Sequence, residues 1–138
     1  MKEIDNIKRI NLHLHTNVSD GALTPKEIIN RAKSIGLDLI SITDHDTADA
    51  YKQIPVQLSS VQILPGMEVS SQHHGHDVHV LAYGYDLNNQ GLIDVTEMYL
   101  VGRKERAVKM IQLLAELGMK ITLDEVEHET LGGEIVFE

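Results

Sequence analysis

Two strand patterns separated by one sharply bounded helix most constrain this fold. Arg9 to His15 alternates apolar and polar residues, the period of a strand whose two faces differ. Leu37 to Thr43 is mostly apolar, as in a strand buried within a sheet. Between them, Thr24-Pro25-Lys26-Glu27 predicts a helix start, with Thr as N-cap, Pro at the first helical position and Glu three residues after the cap. Ile28, Ile29, Ala32 and Ile35 then recur at helical spacing, and Gly36 ends the run. Alternating strands and helices predict an α/β fold.

The pattern continues with a short helical or irregular stretch over Ala48–Ile54 and a strand over Val61–Leu64, closed by Pro65-Gly66. A short strand is expected over Glu68–Ser71 and another over Val78–Tyr85, joined by the polar, turn-like Gln72–Asp77. Leu92–Leu117 reads as one long helix, with Met98, Val101, Val108, Ile111, Leu114 and Leu117 near one face, Gly102 weakening its middle and Gly118 as its stop. Thr122-Leu123-Asp124-Glu125 is a second capping box, opening a helix of about two turns. Gly132-Gly133 and the run Glu134–Glu138 follow. Without repeats or a low-complexity linker, the 138 residues are expected to form one domain, 1–138.

Composition narrows the chemistry. There is no Cys, which excludes disulfides, thiolate zinc sites and cysteine nucleophiles. The net charge of −9 disfavours long duplex nucleic acid and favours cations. No apolar run is long enough to span a membrane, and the first 15 residues hold no secretory apolar core, so a cytoplasmic location is expected. Eight His are present, seven of them between His13 and His79. A metal site here has nitrogen and oxygen donors, which suits zinc, manganese or iron.

His13 and His15 lie two apart on the first predicted strand, so both point to one face and reach one ion together; two solvated polar residues are the alternative. Asp20, in the Ser19-Asp20-Gly21 turn, reads alone as a turn former, but a carboxylate there can swing over the two imidazoles. His45 follows the apolar strand directly, and parallel sheets place ligands at the carboxyl ends of their strands. Asp44, Asp46 and Thr47 around it could cap a helix, or Asp44 could orient a ligating imidazole. Glu68 interrupts an apolar run and needs a partner if buried. His79, between Val78 and Val80, reads alone as a core histidine; five further donors at neighbouring element ends make it a ligand. Six such donors exceed one tetrahedral zinc and suit a multinuclear site, which activates water and clamps phosphate-ester oxygens. His73, His74 and His76 read mainly as solvated loop residues, and His128 as an exposed helical one.

These residues resemble the PHP (polymerase and histidinol phosphatase) family. The motifs are His13-Leu14-His15-Thr16 with Ser19-Asp20-Gly21, Ile42-Thr43-Asp44-His45-Asp46, Pro65-Gly66-Met67-Glu68-Val69-Ser70, and His76-Asp77-Val78-His79-Val80-Leu81. The resemblance implies the N-terminal portion of a distorted (β/α)7 TIM-like barrel and a metal-dependent phosphoesterase holding two or three divalent ions (Mn, Zn, Fe or Mg). His13 and His15 would hold the first ion, Asp20 would join from its loop, His45 and His79 would ligate beside it, and Glu68 would bridge. The implied substrates are small phosphate esters of nucleotide or short-RNA type, most like the 3′,5′-nucleoside bisphosphate phosphatase branch. Arg103 and Arg106 on the long helix are candidate phosphate holders or solvated charges. Family members draw further ligands, including an Asp-x-His pair, from later in the chain. That pair does not follow Gly132-Gly133, so the resemblance implies a half-barrel whose open sheet edge invites self-association. Two other readings stand beside this one. One is a non-catalytic metal-binding module completed by another chain. The other is a metal-dependent amidohydrolase, which shares His-x-His but usually wants a bridging Lys on a later strand.

Overall fold

The computed structural model describes residues 7–54 and 61–129. Three short strands, β1 (Ile10–Asn11), β2 (Leu39–Ile40) and β3 (Gln62–Ile63), form a parallel sheet in that order. β4 (Gly66–His73) and β5 (His76–Tyr83) form a separate antiparallel hairpin. Three α-helices complete the described residues: α1 (Pro25–Ser34), α2 (Gln90–Glu116) and α3 (Leu123–Glu129), with a 3-10 turn over Asp49–Gln53. Mixed α/β content is as expected, but the strand–helix alternation stops after β3.

The capping chemistry anticipated from sequence is present. Thr24 accepts from Glu27 N, and Glu27 accepts from Thr24 N, closing the box at the start of α1. Gly36, at φ 75°, supplies the left-handed residue after its end. Thr122 and Glu125 repeat the box before α3. α1 buries Ile29 and Ala32 against Ile40 and Val61. Ile40 and Ile42 are 0% exposed, each contributing about 1.5–3 kcal/mol by burial.

The parallel strands are shorter than their patterns predict, for a visible reason. After Asn11 the chain leaves the ladder and is held by single bonds: Tyr83 Oη donates to Leu12 O, and Thr43 N donates to Leu14 O. Tyr51, from the 3-10 turn, takes the ladder's place after β2 and β3. Its hydroxyl donates to Ile42 O and accepts from Gly66 N at 2.8 Å. His13 and His15 therefore lie beyond β1, and not on a strand. The hairpin departs in the other direction. Pairing runs unbroken from Gly66↔Tyr83 to His73↔His76, so the expected six-residue connection is reduced to the turn His74-Gly75. A single parallel bridge, His45↔Glu68, joins the hairpin to the segment after β2.

α2 is continuous through Gly102, but of its predicted apolar face Met98, Val101, Val108 and Leu117 are exposed, while Ile111 and Leu114 are half-buried. No described helix is long and apolar enough to cross a membrane. The run Gly132–Glu138 lies outside the described residues.

Candidate metal centre

Five chain segments deliver six donors to one place. The irregular run after β1 brings His13 and His15, whose ring centroids are 5.1 Å apart. A tight loop then returns Asp20 to His15. Gly21 N donates to Thr16 O, and a Cβ on Gly21 would lie 2.4 Å from His15 O, so only glycine closes the loop. The segment after β2 supplies His45, β4 supplies Glu68 and β5 supplies His79.

Glu68 is the hub. Its Oε2 lies 2.7 Å from His13 Nε2, 3.1 Å from His15 Nε2 and 3.9 Å from His45 Nε2, while Oε1 lies 2.9 Å from His79 Nδ1. Asp20 faces His15 Nδ1 at 3.1 Å and His45 Nε2 at 3.7 Å. The donors form three overlapping triads, each with its ligand atoms within 4.8 Å of one another: His13/His15/Glu68, His15/Asp20/His45 and His45/Glu68/His79. His15 Nδ1 is buried and lacks hydrogen-bond geometry despite its nearness to Asp20. A buried imidazole nitrogen without a hydrogen-bond partner, set among converging nitrogen and carboxylate donors, suits a cation, so the residues fit divalent metal.

The site has a buried floor and an open mouth. Glu68 is 7% and His45 4% exposed, whereas the side chains of His13 and His79 are 51% and 39% exposed. Burial acts to raise the Glu68 carboxyl, but the bonds from His13 and His79, and the attraction of His45 and His13 when protonated, outweigh it, and the net shift is downward. Burial lowers His45 below the ordinary imidazole value of 6.5, opposed by the carboxylates of Asp20 and Glu68. His45 is thus kept neutral, the form that ligates metal.

That shift has a consequence for the metal-free protein. Because the folded state resists protonating His45, the unfolded chain takes up the proton first as pH falls through 6.5, and stability drops there; above that value His45 contributes no pH dependence. The melting temperature is expected to fall between about pH 7.5 and about pH 5.5, and to fall less in His45→Asn. Equal falls in the two proteins would remove His45 as the cause.

The aspartates beside His45 differ from expectation. Asp44 does not orient an imidazole. Its carboxylate accepts from Thr16 N and Oγ1, both at 2.6 Å, and from Ser19 Oγ at 2.8 Å, clamping the loop that carries His15 and Asp20. Burial still pushes its carboxyl up against those bonds. Asp46, at φ 55°, caps no helix; it accepts from Ser70 N at 2.6 Å and pairs with Arg103 of α2. Thr47 Oγ1 accepts from Asp49 N ahead of the 3-10 turn, whose N-cap is Ala48, so none of the three residues is a helix N-cap. Sequence reading missed the Asp46–Arg103 pair, whose partners lie 57 residues apart, and the Tyr51 hub. His73, His74 and His76 lie at the hairpin tip, outside the triads, and His128 is exposed on α3.

The chain is similar to several known proteins. The chain is 31% identical to the 5′-3′ exoribonuclease Rnm of Escherichia coli (strain K12), over 76% of this chain and 36% of that protein. It is 35% identical to the 3′,5′-nucleoside bisphosphate phosphatase of Chromobacterium violaceum, over 80% of this chain and 39% of that protein. A solved structure from Bifidobacterium adolescentis, assigned as a metal-dependent phosphoesterase, superposes with a TM-score of 0.74 at 28% identity, covering 91% of this chain and 45% of that one. The chain thus spans less than half the length of the relatives it matches. Residues 11–115, well over half of the chain, match the model of the PHP domain, and the chain belongs to the PHP domain family.

Proposed function

We propose that this chain carries the metal-binding part of a phosphoesterase acting on small phosphate esters of nucleotide or short-RNA type. The observation that carries the reading is Glu68, one carboxylate set among four imidazoles, with Asp20 closing the far side. In this reading His13, His15, Asp20, His45, Glu68 and His79 hold two or three ions drawn from Mn, Zn, Fe and Mg, with Glu68 bridging. The overlap of the three triads supports more than one ion. The described residues form part of a distorted (β/α)7 barrel, and 1–138 is one domain. The relatives named above, an exoribonuclease and a bisphosphate phosphatase, support the substrate class.

When bound, such ions supply Lewis-acid stabilisation of phosphoryl oxygens and a lowered water pKa. The protein residues set the conditions for that. Glu68 stays ionised on the floor, His45 stays neutral beside it, and Asp44 fixes the loop that aims His15 and Asp20. Arg103 pairs with Asp46 beside His45, and its buried Nη1 lacks a hydrogen-bond partner among the described residues.

Hydrolysis of a model phosphoester by the 138-residue chain, with and without manganese, tests the proposal. Metal-dependent turnover is expected. Rates equal to buffer would favour the second reading, a non-catalytic metal module that another chain completes. Val78 and Val80, exposed on the hairpin face away from Glu68 and His79, give another chain or a second copy an apolar surface, and this favours that alternative.

A further inference from the structure

The tip of the β4–β5 hairpin holds three histidines that the centre does not use. His73 and His76 are a directly opposed cross-strand pair, and His74 with Gly75 forms the turn between them. Both turn residues have positive φ, 49° and 79°, as in a type I′ turn. Asn, Asp or Gly suits the first of these positions best, so a histidine there departs from the usual turn chemistry and adds an imidazole. The His73 and His74 rings already lie 4.2 Å apart between centroids, at 67°. Opposed residues on paired strands place their Cβ atoms about 4.5–5.5 Å apart, within reach of one ion for His73 and His76.

These imidazoles are separate from the centre. Side chains alternate along the hairpin, so Glu68 and His79 lie on one face while His73 and His76 lie on the other, in line with Val69, Ser71, Val78 and Val80. All three tip histidines are exposed. Their ring nitrogens do not converge as those of the centre do, so an ion has to gather the exposed rings on binding, and water fills the remaining position. The donor set also differs from the centre, being imidazole without carboxylate. Such a set suits zinc, nickel or copper and is poor for manganese or magnesium.

We propose that His73, His74 and His76 form a second, peripheral site for one Zn²⁺, Ni²⁺ or Cu²⁺ ion. Metal binding by the demetallated 138-residue chain tests it, using Ni²⁺ and Mn²⁺ by calorimetry and dialysis. The expected result is one more equivalent of nickel than of manganese. The variant H73T/H74N/H76T, chosen to keep strand and turn preferences, should lose that one equivalent and keep its manganese. The His13→Ala/His15→Ala variant should lose central ions and keep the tip ion. Equal nickel and manganese stoichiometry, or unchanged nickel binding in the triple variant, would overturn the proposal. A second readout does not depend on any variant. Paramagnetic Ni²⁺ or Cu²⁺ should broaden the amide resonance of Gly75 and its neighbours, and an unbroadened tip at saturating ion would equally overturn it.

Discussion

Glu68→Gln is expected to lower divalent-metal affinity by at least about a hundredfold and to lower any metal-dependent phosphoester turnover at least as much. Loss of a residue that merely orients a ligand costs about 10–100-fold, and Glu68 is placed as a ligand itself. Its carboxylate lies within 4 Å of His13, His15, His45 and His79, so it belongs to two of the three triads and its charge offsets the repulsion among ions packed side by side. Gln keeps the shape and removes the charge, which separates ligation from packing. Calorimetry with Zn²⁺ or Mn²⁺ on the demetallated protein is the measurement. Undiminished affinity in Glu68→Gln would mean that the ions, if bound, sit elsewhere.

Arg103→Leu is expected to destabilise the protein by about 3–5 kcal/mol, the usual cost of leaving one member of a buried ion pair alone. Asp46 is 2% exposed and sits in a left-handed backbone conformation. It also holds Ser70 N, in the middle of β4 opposite His79. Without the guanidinium, a buried carboxylate keeps one backbone partner and loses its countercharge. The double variant Asp46→Asn/Arg103→Leu should recover part of the loss, since no charge is then stranded. Urea unfolding of the wild type, the two single variants and the double variant measures the coupling. Additive losses would show that the two side chains do not act as a pair.

The site was more legible in the sequence than the fold. Donor type, order and position just past apolar runs brought forward all six residues that the structure gathers, because metal-ligating chemistry restricts residue identity strongly. The strands were less legible because apolar alternation records burial and says little about pairing. Leu14 and Ile42 follow strand periodicity, yet the backbone beside them is held by Thr43 and Tyr51 and not by a continuous ladder. The far end of the hairpin hid for the opposite reason: Gln72–Asp77 is too polar to look like strand, but the ladder continues through it to the turn. Asp46 and Arg103 left no local trace, since a pair formed across 57 residues depends on how α2 packs.

The three parallel strands are two residues long, and single side-chain bonds stand in for their missing ladder. An ion in the centre would therefore be a cross-link as well as a reagent. Its ligands come from five segments, so occupancy adds to the Asp44 clamp and the His45–Glu68 bridge in tying the loop after β1, the end of β2 and the hairpin into one cooperative unit. By mass action, metal at about a hundred times its dissociation constant adds roughly 2.7 kcal/mol to the folded state. Amide hydrogen exchange in Leu12–Asp20 and Thr43–Asp46 should slow together on loading, because those segments open to solvent only when the shared ion is released.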